Sequence, residues 1–179
     1  MLSNIARRIR RKRFTPKEVI EGYDNDELSE TIFRKTIAYH PTGEWPLVAG
    51  VDTVIEFGGG CGLHYKLAAQ QTPTIRWAVV ETTPMVLRAL ELATDNLKFF
   101  TDIAAAADWL GQVELVHANG AIQYTPAPLD TVRQLCAVRP PTMIWYRVPI
   151  TTGSMKQEVR SSFLSHHGRG HCLRRVKKS

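Results

Sequence analysis

The sequence predicts an α/β fold of three layers: an open, mostly parallel sheet of about five strands, with helices on both faces and further helices ahead of it. Two features point there. From residue 52 onward, short apolar runs alternate with stretches of helical periodicity, and that alternation implies parallel strands joined by crossovers. The first apolar run, Thr53-Val54-Ile55-Glu56-Phe57, feeds a turn with four glycines, Gly58, Gly59, Gly60 and Gly62. Bulk composition agrees, because 179 residues with 44% apolar content can bury one core with modest extensions.

The elements follow in order. Leu2, Ile5, Ala6 and Ile9 recur at helical spacing, with six basic residues filling and following the other face up to Arg13. Thr15-Pro16-Lys17-Glu18 offers a capping box with proline at the first helical position, so a helix starts there. Residues 24–38 read as another helix, with Leu28, Ile32, Phe33 and Ile37 on one face, and these helices are expected to cover one edge of the next unit. Strands are expected over 53–57, 75–80, 97–101, 113–118 and 142–147, and helices over 62–70, 84–93, 104–110 and 129–137. Beyond Ile150 the alternation fails and residues 161–179 offer no strand. The chain thus divides into a basic arm with a helical extension (1–50), the α/β unit (51–150) and a basic, flexible tail (151–179).

Charge distribution narrows the function. The protein carries a net charge of +6, yet residues 14–150 hold ten basic and sixteen acidic side chains. Basicity belongs to the ends, so specific nucleic-acid binding is not expected, and residues 1–13 suit at most a weak contact with an anionic surface. No apolar run is long enough to span a bilayer, and the cytoplasm is the expected location. Cys61, Cys136 and Cys172 show no CxxC spacing, and His166, His167, His171 and Cys172 match no standard zinc pattern. No metal is expected.

In open parallel sheets, ligands bind beyond the carboxyl ends of the strands. Three successive strands end there in acidic residues: Glu56, Glu81 and Asp102. The loop spacing is GxGxG, with Leu63 where a dinucleotide fingerprint has its third glycine, and a carboxylate at Glu56 would repel a pyrophosphate. It suits a ligand carrying an ammonium group and a sulfonium.

Glu56-Phe57-Gly58-Gly59-Gly60-Cys61-Gly62 resembles the first motif of the class I S-adenosylmethionine-dependent methyltransferases, whose form is (D/E)xGxGxG after an apolar strand. The resemblance covers residues 51–150 and implies a Rossmann-like sheet with S-adenosylmethionine as cofactor. It carries the amino acid end of the cofactor to Glu56, Phe57, Gly58, Gly60 and Gly62, and the ribose hydroxyls to Glu81. Thr82-Thr83-Pro84-Met85 looks like the family's continuation, with Thr83 as N-cap and Met85 on the adenine face; the alternative places Met85 in the core. Asp102 is similar to the position that holds the adenine amino group and can equally cap the following helix. Asn119, after the fourth strand, faces the cofactor or shapes its turn. Gly22-Tyr23-Asp24, together with the stretch from Phe57 to Tyr65, also looks like a poorly characterised bacterial branch of such proteins.

The function expected from the resemblance is methyl transfer to a small-molecule acceptor. His64, Tyr65 and His117 are the nearest candidates for an assisting base, and no Asn-Pro-Pro-Tyr box is present. The family's sheet has seven strands, the last two forming a hairpin beside the fifth. Here the 29 residues after Ile150 read as a tail, so the C-terminus reads as truncated or divergent. The fifth strand would then be an open edge, available to a partner or to self-association. Two alternatives stand beside the enzyme: a protein that binds the cofactor but is catalytically incomplete, and a nucleotide-linked oxidoreductase using Glu81.

Overall fold

The computed structural model describes residues 22–150, 152, 155–160 and 170–175. The basic amphipathic stretch 1–13 and the capping box at 15–18 lie outside the described residues. Five strands, β1 (Thr53–Phe57), β2 (Arg76–Val80), β3 (Leu97–Phe100), β4 (Leu115–Asn119) and β5 (Thr142–Tyr146), form one parallel sheet in the order β3-β2-β1-β4-β5. This is the open Rossmann-like arrangement predicted from the alternation of elements.

Strand side chains alternate between faces, and both faces are covered, so the central strands are apolar throughout. Val54, Trp77, Val79 and Leu115 enter a core shared with Ala68 of α2 (Leu63–Gln71) and with Met85 and Ala89 of α3 (Thr83–Ala89). Ile55, Ala78 and Val116 enter the opposite core, with Ala106 and Leu110 of α4 (Ile103–Leu110) and Leu135 of α5 (Pro128–Ala137). The strand order reverses between β1 and β4, which opens a crevice at the carboxyl edge of the sheet.

α1 (Asp26–Ala38) starts at Asn25, whose Oδ1 accepts the Leu28 N–H at 2.9 Å. It packs against α3 and sends Phe33 into the first core. Two residues reinforce that contact from the surface. Arg88 of α3 lies over the Phe33 ring, 3.3 Å from its centroid, and pairs with Glu30 of α1. The third helix is shorter than expected, because its last turn tightens into a 3-10 turn at Leu90–Leu92 before the chain reverses at Thr94.

The tail differs from expectation. β6 (Met155–Arg160) and β7 (Gly170–Arg175) form an antiparallel pair separate from the main sheet, where the sequence offered no strand over 161–179. Backbone N–H and C=O groups satisfy one another across a ladder whatever the side chains are, so a strand there needs no apolar alternation. β7 runs beside the 3-10 turn Ile122–Tyr124.

Candidate functional site

The glycine turn after β1 is shaped by its neighbours. Gly58, Gly60 and Gly62 all have φ between +59° and +82°, the left-handed region that favours glycine. A Cβ on Gly58 would stand 2.1 Å from that of Ala121, so the turn after β4 presses directly on the loop. Gly59 needs no positive φ, but a Cβ there would sit 2.5 Å from the Glu56 carboxylate. The motif position that accepts any residue must therefore be glycine in this chain, because Glu56 folds back under its own loop.

Glu56 is 1% exposed and turns away from the crevice. It alternates onto the α2 side of the sheet, where its carboxylate accepts from Trp77 Nε1 (3.0 Å), from His117 Nδ1 (3.2 Å) and, very closely, from His64 Nδ1. Burial by itself would raise its pKa, but the hydrogen bonds from His117 and His64 outweigh that and lower it to about 2. For His64 burial acts downward, and the hydrogen bond and charge of Glu56 outweigh it and raise the imidazole. Glu56, His64 and His117 offer donor atoms all within 4.8 Å of one another, a set that could hold a cation and that residue spacing did not reveal.

Glu81 ends β2 on the wall of the crevice. Its Oε1 accepts the Gly60 N–H at 2.8 Å and its Oε2 the Thr82 N–H at 3.0 Å. Burial, the largest influence, raises its pKa, and the two N–H groups offset this only in part. Thr82 occupies the N-cap position of α3, one residue ahead of the predicted Thr83, without a side-chain capping bond, and donates its hydroxyl to the Tyr23 carbonyl at 2.9 Å. That bond holds the segment before α1 across the crevice, where the Tyr23 ring packs on Tyr124 with centroids 5.4 Å apart.

The crevice encloses about 610 Å³ and is lined in part by Phe57, Gly58, Glu81, Thr82, Asn119 and Tyr23. A volume of that order suits a ligand the size of a nucleoside conjugate. A second cavity of about 320 Å³ opens beside it, and Asn119 and Arg147 belong to the walls of both. Arg147, at φ +52°, donates from Nε to Asn119 Oδ1 at 2.8 Å. A Cβ on Gly120 would crowd its guanidinium at 3.2 Å, so glycine there leaves room for the arginine.

No family model matches the chain. No curated protein matches it either. Among solved structures, the mitomycin 7-O-methyltransferase MmcR overlays 70% of this chain and 38% of its own, with 14% identity and a TM-score of 0.42. A chain from the complex of the Haloferax volcanii Trm112 methyltransferase activator with its candidate methyltransferase overlays 65% of this chain and 54% of its own, with 26% identity and a TM-score of 0.38. The chain thus spans well under two thirds of either. Overlaps of that extent leave function to be read from the crevice.

Of the residues singled out in the sequence, Phe57, Gly58, Glu81, Thr82 and Asn119 line the crevice. Gly60 and Gly62 shape the loop behind it. Met85 lies in the core, 0% exposed, with its sulfur 3.6 Å from Cys61 Sγ, so the core alternative is the one the structure adopts. Asp102 caps α4 through the Ala105 N–H at 2.9 Å, next to Thr101 on the crevice wall. Trp45, Tyr124 and Arg147 carried no motif, and only folding brings them here. The Gly22-Tyr23-Asp24 segment did carry a hint.

Proposed function

We propose that the crevice binds S-adenosylmethionine and that the protein transfers the methyl group to a small-molecule acceptor. The observation that carries this reading is the state of the glycine loop. The amides of Gly58, Gly60 and Gly62 already donate to Val80 O, Glu81 Oε1 and Gly59 O. A loop whose amides are spent, with the Glu81 carboxylate beside it, is a poor cradle for a pyrophosphate. That disfavours the oxidoreductase and suits a cofactor without phosphates.

The residues present fit such a group. Glu81 is pinned by two backbone donors and can still accept from a ribose diol through its remaining lone pairs. Gly58 lets the ligand approach the main chain. Asp102, next to the crevice-lining Thr101, would serve the adenine end, and Asp24 and Arg147, both lining the crevice, offer opposite charges for an amino acid end. Glu56 is occupied by its imidazoles, so the ammonium falls to Asp24. When bound, the cofactor supplies a methyl group already activated by the sulfonium; the chain's task is to align an acceptor and keep water out.

Calorimetry with S-adenosylhomocysteine tests the proposal. Saturable binding is expected, with at least a tenfold loss in Glu81→Ala. Tighter binding of NAD than of S-adenosylhomocysteine would reverse the assignment. Cofactor binding with no labelled methyl passed to any acceptor in a metabolite extract would leave a catalytically incomplete binding protein.

A further inference from the structure

We propose that the smaller cavity, between α2, β4 and β5, is the acceptor subsite, that it takes a single-ring phenol, and that His64 is the base that receives the phenolic proton. This rests on the cofactor reading above for the methyl donor.

Glu56 sets the protons on this wall. At neutral pH its carboxylate is ionised and can only accept hydrogen bonds. Both facing imidazoles therefore keep a proton on Nδ1, so the lone pair of a neutral His64 lies on Nε2. His117 is 1% exposed and its Nε2 has no protein partner, a costly condition for a buried acceptor. His64, part-exposed, lines the cavity, so its Nε2 is the acceptor that wall presents, and it calls for a ligand that brings a donor.

The other walls select shape. Trp45 lies 5.3 Å from the His64 ring and 5.0 Å from the His117 ring, and Tyr146 lies 6.0 Å from His117. With Leu67 they make an aromatic, apolar surround of about 320 Å³, the scale of one substituted ring. Asn119 and Arg147, shared with the crevice, bring the two ligands side by side. In the transfer step, His64 Nε2 takes the hydroxyl proton while the phenolic oxygen forms a bond to the methyl carbon. The carbon–sulfur bond breaks, its electron pair stays on sulfur, and Glu56 holds the resulting imidazolium, the arrangement of a carboxylate-backed histidine base. His64 is then catalytic, and Glu56 is a positioning residue. The charged and titratable groups facing His64 are Glu56 on β1, His117 on β4 and Arg147 after β5.

The test uses phenol, and anisole as the probe lacking the donor, on the intact protein without cofactor. The phenol should bind at least tenfold more tightly than the anisole and shift the imidazole NMR signals of His64 and His117. His64→Ala should bring the two affinities within about threefold. Tyr146→Ala, which removes none of the hydrogen bonds of Glu56, should weaken both probes. With S-adenosylmethionine, methylation of the phenol should rise with pH through the raised His64 pKa and fall at least a hundredfold in His64→Ala. Equal affinity for the two probes, signal shifts confined to crevice residues, or stoichiometric zinc retained on the imidazoles would overturn the proposal. Phenol selectivity without S-adenosylhomocysteine binding would reject the cofactor reading instead.

Discussion

Gly58 touches the turn after β4 so closely that no side chain fits between them. Gly58→Ala combines a clash with Ala121 and an unfavourable φ of +71°, and should cost about 2 kcal/mol in chemical denaturation, with S-adenosylhomocysteine binding lost as well. Glu56 makes a different claim, one about pH. Its folded pKa, about 2, lies below its ordinary value of 4.5, so the unfolded chain binds more protons between those values. The stability it contributes is present above 4.5 and is lost as pH falls toward 2, on the order of 3 kcal/mol. Its partner His64 has a raised pKa, so its share is full below the usual histidine range and fades as pH rises through the raised value. Denaturation from pH 2 to 5 should show a rising slope in the native protein and a flatter one in Glu56→Gln.

At the scale of elements, the caps and crossovers decide what each side chain can do. Asp102 spends Oδ1 on the first turn of α4, so Asp102→Ala should destabilise by about 1 kcal/mol and Asp102→Asn by much less. A thermal or urea midpoint in which both variants fall equally would remove the capping role. α2 behaves otherwise. It follows Gly62, which supplies no side-chain cap, and places His64 in its first turn, over Glu56. Sequence reading placed this helix correctly from the glycine turn and the apolar pattern. The partner beneath it was not readable, because alternation along β1 assigns Glu56 to a face without saying which groups line that face.

For the whole molecule, the sheet has protected and exposed strands. β1, β2 and β4 are flanked on both sides, whereas β5 pairs only with β4 among the described residues and is more exposed, with Tyr146 at 44%. Hydrogen exchange should therefore find the slowest amides in β1 and β4 and faster exchange in β5. Uniform protection across all five strands would imply that another chain or segment covers that edge. No helix among the described residues is long and apolar enough to cross a membrane. The sequence by itself determined the strand–helix alternation and the glycine turn, because burial on two faces and positive φ each demand particular residue types locally. It also marked Glu81, which lines the crevice, since an acidic strand end beside a glycine turn is a local pattern. Only the tertiary structure turned Glu56 away from the crevice onto two imidazoles, drew Met85 into the core, paired β6 with β7 and set Trp45 and Arg147 around a second cavity. Those outcomes depend on contacts between residues far apart in the chain, where packing and the need to satisfy a buried charge, and no local preference, choose the partner.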